Sequence, residues 1–282
     1  MNKKRRHFAI LLVGLAHLPA LWAEQLKVMS FNVRLPSKSD GENHWDKRRD
    51  LLVRTIQKYD PDVFGTQELF HEQGQYIVAK APEYKWFGVS RRGNQTDEHM
   101  GVFYKPSKLT LLNSGNFWLS ETPEVPGSMS WDVSLPRMVT WGLFQTAGGK
   151  KFYLYNTHFP HRREDAEART NCARVIAKRI GSLPIGTPLI VTGDFNTAAE
   201  SSEPYAILTS DLKDAWRTAP ATSGPTGTFN GFTGRDTGPR IDWILYRGGV
   251  QPVSAETITY NESGRYPSDH FPVMAVFDLS AR

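Results

Sequence analysis

Six polar clusters each end an apolar run: Asn32 in SFNVR, Gln67 and Glu68 in GTQE, Asn156 and His158 in YNTHF, Asp194 and Asn196 in GDFN, Asp242 in RIDWIL, and Ser268, Asp269 and His270 in PSDHFPV. Acids and amides inside apolar strands cost free energy unless they are paired or bound to a metal. Each cluster alone has an ordinary reading: Asn32 as a turn former, Glu68 as a surface acid, His158 as a core histidine, GDFN as an Asx turn. Their joint occurrence points to one polar site. Carboxylates and amides are hard ligands, and no Cys or His cluster occurs, so Mg²⁺ or Mn²⁺ suits the set better than a soft metal. HExxH, CxxC, P-loop and GxSxG strings are absent, which removes sequence support for zinc hydrolysis, nucleotide switching and serine-hydrolase chemistry.

The elements that must position these groups can be read from periodicity. Strands are predicted at 26–33, 63–66, 101–104, 109–119, 139–145, 152–156, 189–192, 241–246 and 271–279. Helices are predicted at 45–58, with Leu51, Leu52, Thr55 and Ile56 on one face, and at 164–180, with Ala168, Cys172, Val175, Ile176 and Ile180. A strand–helix–strand pattern occurs twice, as MSFNVR to DVFGTQE and as YNTHFP to LIVTGDFN. Two similar sheet-plus-helix layers packed face to face, with polar strand ends on one rim, would explain the echo. The Gly/Thr-rich segment 221–239 reads as an active-site loop. Of the eight tryptophans most are expected in the core, with Trp131 and Phe232 the loop-borne candidates for stacking on a base or sugar.

Lys3, Lys4, Arg5 and Arg6 precede an apolar run from Phe8 to Trp22, the pattern of a cleaved export signal over residues 1–23. The run is shorter than the ~20 residues of a membrane span. Residues 24–282 are then one domain. The leader holds four of the 34 cations and none of the 29 acids, so 30 minus 29 leaves a mature charge of +1. A broad basic footprint for nucleic acid is lacking, which favours small or lipid-borne substrates. Cys172 is the only cysteine and cannot form an intramolecular disulfide; it reads as a helix core residue. A periplasmic or secreted monomer without a protein partner is the resulting expectation.

The ordered series FNVR, TQE, NTH, GDFN, IDW and SDH resembles the signature set of the endonuclease/exonuclease/phosphatase (DNase I-like) superfamily, over almost the whole mature chain. Trp45 and Arg48 in W-x-x-R, FWLSETP from Phe117 and LPRMVTW from Leu135 resemble a bacterial subgroup allied to the deadenylase/nocturnin-like branch. The resemblance implies an α/β fold, a four-layer α/β/β/α sandwich with two mixed sheets face to face and helices outside. It implies a divalent-metal-dependent phosphoesterase that hydrolyses a phosphodiester or phosphomonoester by in-line water attack. Glu68 and Asn32 would hold Mg²⁺ or Mn²⁺, with Asp269 contributing directly or through water. His270, oriented by Asp242, and Asp194 are the contenders for acid–base work. Asn196 and His158 would bind phosphoryl oxygens, and Arg137 is a candidate phosphate clamp. A 3′–5′ exonuclease or other nuclease on extracellular RNA or DNA remains an alternative, as does a non-catalytic phospho-ligand-binding protein. The latter should have lost one of Glu68, Asp194, Asp242, Asp269 or His270, and all are present.

Overall fold

The computed structural model describes residues 24–279, so the expected export signal lies outside the described residues. Thirteen strands and five α-helices follow in order: β1 (Gln25–Asn32), α1 (Trp45–Tyr59), β2 (Val63–Gln67), α2 (His71–Lys80), β3 (Lys85–Phe87), β4 (Val102–Tyr104), β5 (Leu109–Trp118) and β6 (Met138–Thr146). There follow β7 (Lys151–His158), α3 (Ala166–Gly181), β8 (Leu189–Asp194), α4 (Glu203–Thr209), β9 (Lys213–Asp214), α5 (Ala215–Thr218), β10 (Thr222–Ser223), β11 (Asp242–Arg247), β12 (Gln251–Thr257) and β13 (Val273–Asp278).

One sheet has the order β10-β12-β13-β1-β2-β4-β3 and the other β5-β6-β7-β8-β11-β9. Both are mixed, because β1–β2 and β7–β8 are parallel pairs inside otherwise mainly antiparallel ladders. These two pairs are the sequence echo realised: β1-α1-β2 and β7-α3-β8 occupy equivalent central positions in their sheets.

The alternation of side chains assigns every face. Leu26, Val28, Val63 and Val102 of one sheet meet Phe144, Phe152, Leu154, Ile190 and Ile244 of the other in the shared core. The opposite faces are covered by helices. Met29, Phe31, Phe64 and Phe103 pack with Leu52, Val53 and Ile56 of α1 and Ile77 of α2. Tyr155, Val191, Trp243 and Leu245 pack with Cys172, Ala173 and Ile176 of α3. This is the expected four-layer sandwich. No helix among the described residues is long and apolar enough to cross a membrane.

The parity that buries Val28 between the sheets also turns Asn32 inward, and likewise places His158, Asp194 and Asp242 on the inner faces at the ends of β7, β8 and β11. The register aligns these ends: His158 lies beside Asp194, and Asp194 beside Asp242. Strand order and register thus bring together residues far apart in sequence.

Candidate active site

The converging strand ends line a cleft of about 700 Å³, bounded by Arg34, Glu68, Arg91, Glu98, Arg137, His158, His161, Asp194, Asn196, Phe229, Asp269 and His270 among others. Asn32 and Asp242, each 1% exposed, stand behind this lining. Asn32, Glu68, Arg137, His158, Asp194, Asn196, Asp242, Asp269 and His270 are therefore in or directly beneath one cleft.

On one side, His270 Nδ1 is 2.9 Å from Asp242 Oδ2, and Nε2 is 3.7 Å from Asp194 Oδ2. Burial alone would lower the imidazole pKa, but the carboxylates of Asp242 and Asp194 outweigh it, and His270 is held well above its ordinary value. Burial and the neighbouring Asp242 push the Asp194 carboxyl up to about 7. Asp194, Asp242 and His270 offer ligand atoms within 4.8 Å of one another, so this trio could hold a metal ion.

The opposite side has a second histidine. Asn196 Nδ2 donates to His158 Nε2 (2.9 Å) and to the Phe159 carbonyl (3.0 Å), so neutral His158 carries its proton on Nδ1. Burial, then Arg137, depress the His158 pKa well below its ordinary value. His158 Nδ1 faces Glu98 Oε2 at 3.9 Å. Glu98 is 4% exposed, paired with Arg91 at 2.9 Å, and pushed up to about 7 by burial and then by Glu68.

Asn32 links the two halves, donating through Nδ2 to Asp194 Oδ2 (3.0 Å) and to Glu68 Oε1 (3.2 Å). Glu68 Oε2 accepts from the Leu35 amide (3.1 Å). The Arg34 guanidinium pairs with Asp40 at 2.8 Å and also lies 3.8 Å from Glu68 Oε2 and 3.7 Å from Asp269 Oδ2. Arg34, Glu68 and Asn196 have φ of 55°, 58° and 49°. Left-handed backbone at non-glycine residues costs about 1–3 kcal/mol each and persists where the surroundings enforce it, often at functional sites.

Arg137 is 3% exposed; Nη2 donates to His161 Nδ1 (3.1 Å), while Nη1 has no hydrogen-bond partner among the described residues.

Some expected residues lie elsewhere. Asn156 does not line the cleft; it is fully buried between the sheets, accepting from Gln67 Nε2 (2.7 Å) and Thr192 (3.1 Å) and donating to the Thr66 carbonyl (2.8 Å). Neither stacking candidate faces the cleft: Trp131 packs against the α3 cluster, and Phe232 lies 5.7 Å from the Arg48 guanidinium. The exposed aromatic at the mouth is Phe229, 39% exposed and edge-on to His270 at 5.1 Å, from the glycine-rich loop expected to serve the site. Arg91 and Glu98 were invisible in the sequence, because SRRGNQTDEHM reads as a solvated loop. The segment 118–127 covers this loop, where the Trp118 indole donates to the Arg91 carbonyl (2.6 Å) and Pro126 packs on Gly93, while Glu98 is enclosed beside Arg91 and His158.

Comparison with known proteins agrees with this geometry. A solved endonuclease/exonuclease/phosphatase from Bacteroides vulgatus is 34% identical, with a TM-score of 0.85 over 91% of this chain and 99% of that one. A mannosyl-6-phosphatase from Bacteroides thetaiotaomicron is 33% identical, with a TM-score of 0.83 over 89% and 99%. Tyrosyl-DNA phosphodiesterase 2 of Danio rerio is 24% identical over 90% of this chain, which spans 67% of that protein's length. The model of the Endonuclease/Exonuclease/phosphatase family matches residues 29–270, and the chain belongs to that family of phosphoester hydrolases.

Proposed function

We propose that this chain is a divalent-metal-dependent phosphatase that hydrolyses a phosphate monoester of a small molecule, with a phosphorylated sugar as the substrate class. One observation carries the reading. A fully buried guanidinium, Arg137, faces the same cleft as His158, Asn196, Asp194 and His270 with Nη1 unpartnered among the described residues. A buried guanidinium nitrogen without a hydrogen-bond partner is costly, even with the Glu98 carboxyl nearby. A phosphoryl oxygen would supply that partner, and guanidinium is suited to phosphate. The sugar preference is supported by the mannosyl-6-phosphatase, at 33% identity against 24% for the phosphodiesterase, and by the near-neutral mature charge.

In this reading Arg137 Nη1 and His158 Nδ1 bind the phosphoryl oxygens, with Asn196 fixing the His158 tautomer through its hydrogen bond to Nε2. Asp242 orients the His270 ring, so that His270 Nε2 faces the cleft beside Asp194 and the two carry the proton traffic of water attack and leaving-group departure. The oxygen donors fit a hard cation: Glu68, Asn32 and Asp269 surround one corner, and burial raises the Asp269 carboxyl, a shift that a cation would reverse. A bound Mg²⁺ or Mn²⁺ would supply neutralisation of the charge that spreads over the phosphoryl oxygens. The proposal also takes the protein as an exported, monomeric single domain, supported by the basic and apolar leader pattern and by one core shared between both sheets.

The test is phosphate release from mannose 6-phosphate, p-nitrophenyl phosphate, bis-p-nitrophenyl phosphate and oligonucleotides, with Mg²⁺, Mn²⁺ or EDTA. Metal-dependent release, fastest on the sugar phosphate, is the expected result. Faster turnover of oligonucleotides would replace it with the nuclease alternative, and full activity in EDTA would overturn metal dependence.

A further inference from the structure

Trp45 and Arg48, the W-x-x-R pair of α1, take no part in the chemistry proposed above, yet Arg48 is 2% exposed and has no carboxylate within ion-pair range among the described residues. Its guanidinium is spent entirely on main-chain carbonyls. Nε donates to Asn43 (2.9 Å), Nη1 to Val33 (2.7 Å) and Pro267 (2.9 Å), and Nη2 to Arg34 (2.6 Å). Trp45 and Phe232 pack at 5.4 and 5.7 Å from its centre. The planar fork therefore fastens three separate segments to one point.

Two of those segments carry the oxygen donors. Val33 and Arg34 directly follow Asn32, and Arg34 is one of the left-handed residues. Its carbonyl also accepts from Gln73 Nε2 (3.0 Å), so two buried donors hold the strained turn. Pro267 directly precedes Ser268, Asp269 and His270, and Ser268 Oγ donates back to the Asn32 carbonyl (2.7 Å). Releasing Arg48 would free the Asn32 turn and the Asp269 turn at once, while leaving Glu68, which directly follows β2, untouched.

The geometry points to Arg48 as a positioning residue that presets Asn32 and Asp269 for the divalent cation. The inference rests on the metal reading above. Residues that orient ligands in this way typically change metal affinity by ~10–100-fold when lost.

Mn²⁺ binding to the purified full chain, read by the loss of the free-ion electron paramagnetic resonance signal, tests it beside the thermal unfolding of the metal-free protein. Arg48→Met is expected to weaken Mn²⁺ binding at least ~10-fold while remaining folded. Arg48→Lys keeps the charge but cannot span three segments with one ammonium, so a several-fold loss is expected there too; it serves if the Met variant fails to fold. Glu68→Gln is the control. Unchanged binding in that control overturns the metal reading and this inference with it. Lost binding in Glu68→Gln with wild-type affinity in either folded Arg48 variant overturns the role of Arg48 alone.

Discussion

Asp242, His270 and Asp194 share a proton economy set by burial: the imidazole is held charged by two carboxylates, and one of those, Asp194, titrates near 7. His270→Ala and Asp194→Asn are each expected to lower kcat by at least ~10²-fold without unfolding the protein, as loss of acid–base and charge-stabilising groups does. Steady-state kinetics with circular dichroism checks this, and near-wild-type turnover in both would sink the site assignment. Glu98 gives a stability prediction. Its carboxyl titrates at 4.5 when unfolded and about 7 when folded, so its contribution is complete below pH 4.5 and is lost as the pH rises through 7. Asp194 acts in the same direction. Glu98→Gln should remove roughly 3 kcal/mol of the stability decline between pH 4.5 and 8 in metal-free protein. Chemical denaturation at several pH values measures it; parallel profiles for variant and wild type would refute the raised carboxyl. Residues ending apolar runs were legible because a polar group there conflicts with its surroundings, whereas Arg91 and Glu98 sit in a polar string and acquire burial from segments distant in sequence.

The strand pairs β1–β2 and β7–β8 are welded back to back at Gly65 and Asn156. A Cβ on Gly65 would lie 2.3 Å from Asn156 Oδ1 and 2.4 Å from Thr192 Oγ1, so glycine is needed for close approach of the sheets. Gly65→Ala should destabilise by about 1–3 kcal/mol through overpacking, and Asn156→Ala by about 3 kcal/mol through stranded partners. The double variant should lose at least ~1 kcal/mol less than the sum, because removing the amide makes room for the new methyl. Urea unfolding of the four proteins decides, and strict additivity would show that the contact is not the cause. The strands flanking the site and both long helices were readable from periodicity, with ends shifted by a few residues. Helix α2 was not, since HEQGQYIVAK buries only Gln73, Gly74 and Ile77 and shows no apolar stripe. Strand β12 was hidden by Pro252, which sits at an irregularity in its ladder with β13.

For the molecule as a whole, a cation bound only by the folded state must raise its stability. Mg²⁺ at ~100 times its dissociation constant should add about 2.7 kcal/mol, and Glu68→Gln should abolish the shift. A thermal melt that ignores Mg²⁺ and Mn²⁺ in the wild type would count against the metal reading. The position of β1 has another consequence. It lies between β2, which follows it closely, and β13, from the last described residues, with Ser30 opposite both Gly65 and Val273. During synthesis the strand that carries Asn32 therefore presents an unpaired edge until the ribosome has delivered β13, more than 200 residues later. The nascent polypeptide must be kept from edge-to-edge association for that time, and the cleft at the end of β1 is completed only when β13 docks.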